Sequence, residues 1–167
     1  MEIFTTYYHS PLGEIEISAT IANITSLMFK DAEKKPSPSL MPSGSVPEII
    51  ENAITQLNEY FTGIRKTFEL PFSQDGTDFQ QTVWNELIHI PFGETISYEE
   101  LAIRLGDKNK IRAAASANGL NKLNIIIPCH RVIGKYGKLV GYGGDLWRKK
   151  WLINHEFEFS EKKGHLF

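Results

Sequence analysis

Apolar positions in the first thirty residues come in short alternating bursts, not at helical spacing. Ser10-Pro11-Leu12-Gly13 reads as a turn, Ile15 and Ile17 fall on one face of a strand, and Asn23 breaks the pattern before Leu27-Met28-Phe29. A small antiparallel sheet is predicted. Residues 31–47 collect Lys, Ser, Pro and Gly, the composition of an exposed, mobile loop. Pro47 suits a helix start, and Ile50, Ala53, Ile54, Leu57 and Phe61 follow at helical spacing until Gly63. Phe68 and Leu70 predict a short strand, and Pro71 to Gly76 a linker.

Beyond the linker the period becomes helical. Thr77 or Asp78 caps a helix whose apolar face is Phe79, Val83, Trp84, Leu87 and Ile88, and Pro91-Phe92-Gly93 stops it. Ser97 caps a helix carrying Tyr98, Leu101, Ala102 and Leu105, ended by Gly106. The polar turn Asp107-Lys108-Asn109 leads to an alanine-rich helix from Lys110 to Asn118, closed by Gly119. Two short helices about a tight turn suggest a helix-turn-helix. A last amphipathic helix runs from Leu146 to His155 and ends at Glu156; the tail from Glu161 to Phe167 is expected to fray. The expected fold is α+β. Residues 1–76 form a small N-terminal α/β scaffold, an antiparallel sheet with a helix, and residues 77–167 a mostly helical domain with a helix-turn-helix and the active site.

Composition narrows the class. With 41% hydrophobic residues and 3 tryptophans among 167 residues, the chain buries a core without a staple. Its 1 cysteine excludes an internal disulfide and an all-cysteine zinc site, which fits a reducing compartment. No run approaches membrane-spanning length, and Met1-Glu2-Ile3-Phe4 lacks the order of a signal peptide, so a soluble cytoplasmic protein is expected. A net charge of −2 means that any nucleic-acid binding needs a local cationic patch.

The chemistry concentrates in Ile125-Ile126-Ile127-Pro128-Cys129-His130-Arg131-Val132. Three isoleucines predict a buried strand or extended segment, and Pro128, without an N–H, ends its pairing and leaves Cys129 at the mouth of the core. His130 and Arg131 beside the sulfur are the setting that lowers a thiol pKa; a small buried hydrophobe is the other reading of a lone cysteine. Upstream, Ala113, Ala114, Ala115, Ser116 and Ala117 make a helix of small side chains, suited to close packing on another helix or to close approach to a nucleic-acid groove. Arg112, with Lys108 and Lys110, supplies local positive charge. Downstream, Ile133 to Gly144 is rich in glycine and tyrosine, either a plain hairpin loop or a backbone that approaches a planar ligand under an aromatic cover.

Pro128-Cys129-His130-Arg131-Val132 resembles the active-site signature of the O6-alkylguanine-DNA alkyltransferases, the methylated-DNA–protein-cysteine methyltransferases. Phe79-Gln80, Val83-Trp84, Ile90-Pro91-Phe92-Gly93, Ser97-Tyr98, Leu101-Ala102, Arg112-Ala113, Ala117-Asn118, Asn121, Gly137, Gly141-Tyr142, Lys149, Trp151-Leu152 and Glu156 also stand where that family has them. The resemblance implies that Cys129 accepts the alkyl group, with His130 as base through a water and Glu156 orienting it. Asn121 would fix the cysteine turn, and Tyr98 would donate to the leaving guanine. Arg112 would replace the extruded nucleotide, with Lys110, Ala113, Ala114, Ala115, Ser116, Ala117, Asn118 and Arg131 on the DNA. Val132, Tyr142, Gly143 and Gly144 would read the flipped base. The implied partner is double-stranded DNA containing O6-alkylguanine, bound by a monomer that uses no cofactor and no metal and reacts once.

Two residues depart from the family pattern. Lys122 stands where proline is common, and Asp145 where a further glycine is common. Rival readings are a lesion-binding relative without the cysteine, which Cys129 argues against, a helix-turn-helix regulator, which needs further segments, and a Cys-His hydrolase or transferase, which leaves Arg112 and Tyr98 unexplained.

Overall fold

The computed structural model describes residues 2–30, 46–140, 142 and 145–161, and the predicted loop of residues 31–47 lies largely outside them. The chain divides into two compact units, Met1–Gln74 and Asp75–Phe167.

In the first unit β1 (Phe4–Ser10), β2 (Gly13–Ala19) and β3 (Ile24–Phe29) form an antiparallel sheet in the order β1-β2-β3. The alternation predicted for Ile15 and Ile17 sets the register: they pair with Phe29 and Leu27 and are wholly buried with Ala19, Ile24 and Leu27. Helix α1 (Glu48–Phe61), preceded by Pro47, covers them with Ile50, Ala53, Leu57 and Tyr60, all at 0% exposure.

The strand predicted at Phe68 and Leu70 does not form; Phe72 alone bridges to Ile24. A side chain replaces the neighbouring strand. Gln56 of α1 donates to the Glu69 carbonyl (3.1 Å) and accepts from the Glu69 N–H (2.9 Å), satisfying that backbone without a ladder.

The second unit is mainly helical: α2 (Asp78–Leu87), α3 (Tyr98–Arg104), α4 (Ile111–Gly119) and α5 (Leu146–Glu158). Thr77 caps α2 in a reciprocal box with Gln80, and Ser97 caps α3 by accepting from Glu100 N–H. Helices α3 and α4, joined through a 3-10 turn at Lys108–Lys110, pack on each other. Two residues of parallel strand, β4 (Ile96–Ser97) beside β5 (Val132–Ile133), tie the start of α3 to the segment after Cys129. The Trp84 indole donates to the Ala117 carbonyl (2.9 Å), joining α2 to α4.

Gly76 lies against that tryptophan: a Cβ there would meet Trp84 Cη2 at 2.5 Å. Because the indole is buried and held by Ala117, Gly76→Ala is expected to cost about 1–3 kcal/mol. Urea unfolding measures this, and an unchanged midpoint would contradict the packing.

Candidate active site

The isoleucine run predicts a strand, but the structure has turns there. Ile125 takes φ +72°, which breaks the extended run, and Ile126 N–H closes a three-residue turn on the Asn124 carbonyl (2.8 Å). Pro128, at φ −80° and ψ 63°, makes a second such turn, bringing Cys129 N–H onto the Ile127 carbonyl (2.7 Å). A β-branched residue at positive φ costs about 1–3 kcal/mol and persists only where its surroundings impose it. Asn121 supplies much of that constraint. Its amide nitrogen donates to the Leu123 and Ile127 carbonyls (3.3 and 2.9 Å), and its oxygen accepts from Leu123 N–H (3.0 Å).

Cys129 opens a single 3-10 turn, Cys129–Arg131, that packs against α2 and α5, and it is 3% exposed. It therefore sits within the core and not at its mouth. Its carbonyl accepts from Asn118 Nδ2 (3.2 Å) and from Val132 N–H, and Val132 is itself buried.

The thiol's surroundings also differ from the expected cationic pair. Burial pushes the Cys129 thiol up; the Asn121 side chain and the charge of Lys149 pull the other way without reversing it. Arg131 is turned elsewhere. Its Nε and Nη2 donate to the Glu156 carboxylate (2.7 and 3.1 Å) and its Nη1 to the Ile90 carbonyl (2.6 Å). With this side chain 8% exposed and its donors engaged in the core, the expected DNA contact from Arg131 is overturned.

His130 is completely buried, and burial lowers its pKa despite the opposing pull of Glu156. Burial alone would raise the Glu156 carboxyl, but the His130 hydrogen bond and the Arg131 guanidinium outweigh it and hold the group well below the usual carboxylate range. An ionised carboxylate only accepts, so the 2.7 Å contact puts the imidazole proton on Nε2. Nδ1, buried without a hydrogen-bond partner among the described residues, is then a proton acceptor.

Tyr98 OH donates to the Val140 carbonyl (3.2 Å), and burial, then the nearby Cys129, raise its pKa. Lys149 Nζ reaches the same carbonyl (2.9 Å) and lies 3.5 Å from Tyr98 OH. Burial pulls Lys149 down to about 8. Sequence reading gave this lysine no role, although the signal was there. Lys149 and Glu156 stand three residues before and four after Leu152, on the inward stripe of α5.

Tyr98, Ile111, Arg112, Ala115, Gly119, Val140 and Tyr142 line a cavity of about 470 Å³. Burial drives the Tyr142 phenol well above its ordinary pKa. Gly143 and Gly144 lie outside the described residues. Helix α4 cannot present Arg112 through Asn118 on one side, because each residue turns it by about 100°. Ala114, Ala117 and Asn118 face inward, which removes them from the expected DNA surface; Arg112, Ala113 and Ser116 are exposed. Lys110 Nζ lies 5.4 Å from the Phe79 ring centroid. Among the described residues no group of three His, Cys, Asp or Glu side chains converges to hold a metal.

Asp145, at φ +77° and ψ 152°, precedes α5 in a conformation that favours glycine, and its carboxylate lies 3.6 Å from Arg148. Asp145→Gly is expected to gain about 1 kcal/mol, the released strain exceeding both the added chain entropy and a 3.6 Å ion pair whose carboxylate end is exposed. Thermal denaturation tests this; a lower Tm would contradict it.

The buried network makes a further prediction. His130 and Glu156 both have folded-state pKa values below their ordinary 6.5 and 4.5, so the unfolded chain binds more protons and stability rises with pH. The His130 contribution is lost as pH falls below 6.5, and that of Glu156 as it falls below 4.5. Glu156→Gln should abolish the second loss and, by leaving Arg131 without its counter-ion, cost about 3–5 kcal/mol at neutral pH. Tm measured across the acid range decides; a flat profile would contradict a buried neutral imidazole.

Family models match both units: the ribonuclease-like domain of 6-O-methylguanine DNA methyltransferase over residues 3–74 and its DNA-binding domain over residues 78–158. The constitutive methylated-DNA–protein-cysteine methyltransferase of Bacillus subtilis is 42% identical over 167 residues, covering 97% of this chain and 100% of the relative. That of Mycobacterium tuberculosis is 42% identical over 147 residues, 88% of each chain. A crystal structure of the M. tuberculosis O6-methylguanine methyltransferase, 38% identical, covers 99% of both chains with a TM-score of 0.82. The M. tuberculosis OGT in complex with DNA, 39% identical, covers 92% of both with a TM-score of 0.79. The chain belongs to the methylated-DNA–protein-cysteine methyltransferase family.

Proposed function

We propose that the protein repairs DNA by taking the alkyl group from O6 of an alkylated guanine onto the sulfur of Cys129, irreversibly and once per molecule. The S–C bond forms as the C–O6 bond breaks, and guanine leaves. The observation that carries the reading is the buried Cys129 followed by a neutral His130 whose Nε2 is held by Glu156 and whose Nδ1 is an open acceptor. Because burial keeps the resting thiol protonated, a base has to take its proton as the sulfur attacks, and His130 Nδ1, through one water, is suited to do so. Glu156 then stabilises the imidazolium. Charge developing on the guanine is met by Tyr98 OH, with the Lys149 ammonium behind it.

The cavity under Tyr98 and Tyr142 is of a size for an extruded base, and Arg112 on its rim is suited to take the vacated place in the duplex. The exposed residues Ala113 and Ser116, with Ala115 at the cavity edge, allow α4 to lie close in the minor groove, with Lys110 adding a phosphate contact. Val132 and the loop around Tyr142 would read the base. The M. tuberculosis complex with DNA supports the choice of partner. No described helix is long and apolar enough to cross a membrane.

Incubation with duplex DNA containing O6-methylguanine is expected to add one methyl group to the intact mass, on Cys129, and to stop at one equivalent. Cys129→Ala should lose transfer and keep binding, because phosphate contacts supply most of the affinity. Methyl on another residue, or turnover beyond one equivalent, would overturn the mechanism.

A further inference from the structure

The segment between β5 and Val140 is a small cationic hairpin that the proposed chemistry does not use. Gly134 N–H donates to the Lys138 carbonyl (2.6 Å), and Lys138 N–H returns to the Lys135 carbonyl (3.3 Å). The strands cross tightly at its base: a Cβ on Gly134 would lie 2.8 Å from the Lys138 oxygen and 3.3 Å from Val140 Cγ2. At the tip Tyr136 is held at φ 60° and ψ 30°, in the left-handed region, and is 94% exposed. A large aromatic in that conformation carries backbone strain and buries nothing in return. Lys135 Nζ stands 5.3 Å from its ring centroid, so the phenol and the ammonium project together. Lys138 is exposed as well, and neither ammonium has a carboxylate partner among the described residues. Val140, two residues further on, lines the same cavity as Arg112, so the hairpin borders the cavity mouth.

We propose that this hairpin is a second DNA contact outside the base pocket, with Lys135 and Lys138 on backbone phosphates and the Tyr136 ring packed on the nucleotide between them. The inference rests on the reading that the chain works on duplex DNA. Charge argues for that occupant. The molecule carries a net −2, yet two unpaired cations flank an exposed aromatic at the edge of the site, which matches a polyanion with flat apolar faces. The hairpin would hold DNA whose damaged base enters the cavity, and it takes no part in the transfer itself.

The test compares wild type, Lys135→Ala/Lys138→Ala and Tyr136→Ala by Kd for duplex DNA containing O6-methylguanine across a salt series, and by the rate of transfer from free O6-benzylguanine. Loss of two phosphate contacts should make the slope of log K against log salt shallower by about 1.8. Tyr136→Ala should weaken binding several-fold with the slope unchanged. All three proteins should react with the free base at the same rate, which also reports an intact pocket. An unchanged slope in the double variant, or an equal loss on free base and duplex, overturns the hairpin contact while leaving the repair reading in place. A wild type that neither binds nor repairs the duplex would sink both.

Discussion

One buried carboxylate holds the site in register. Glu156, on α5, accepts from His130 Nε2, from two nitrogens of Arg131 and from the Gly93 N–H (3.4 Å). Three separate segments are thereby tied to one group: the Ile90–Gly93 turn, the Cys129–Arg131 turn and the last helix. Taking these charges out of water is costly, and the arrangement stands because each carboxylate oxygen and most guanidinium donors find partners. Arg131 closes the circuit on the Ile90 carbonyl. Gly93 turns there at φ +84°, and a Cβ would collide with Ser160 at 2.6 Å, so the N–H reaches the carboxylate only from a glycine.

Burial shapes the reagent as much as the charges do. Burial raises the Cys129 thiol, so under the proposed mechanism an acceptor has to take its proton as the sulfur attacks. The same low-dielectric setting lowers the pKa of His130 and draws that of Lys149 down to about 8. Strain gathers in the second unit: among the described residues, the non-glycines at positive φ are Ile125, Tyr136 and Asp145, all between Asn121 and the start of α5. Asn121 holds the first of them; α5 begins at the last.

Local rules explain what was legible in the chain. Thr77 and Ser97 cap helices because a hydroxyl needs only an N–H three residues on, and Ile15 and Ile17 enter a core because strand side chains alternate. The pairing of His130 with Glu156, a 2.7 Å contact beside Cys129 in the chain, was legible only through the family resemblance carried by the ordered motifs. The spacing of α5, read around Leu152, already places Lys149 and Glu156 on one inward stripe.

The sequence by itself determined the helices and the three-stranded sheet, since caps, turns and alternation depend on neighbours a few residues away. Tertiary structure decided where partners came from distant segments. Gln56 took the hydrogen bonds that a strand at Phe68–Leu70 would have made, and the positive φ of Ile125 turned an apolar run away from extension. Arg131 looked like a cation for the thiol or for DNA until Glu156 and Ile90, 25 and 41 positions away, claimed its donors. Asn118 turned inward to the Cys129 carbonyl for the same reason. A buried polar group must be satisfied by whatever the fold brings beside it, and that choice is not written in its nearest neighbours.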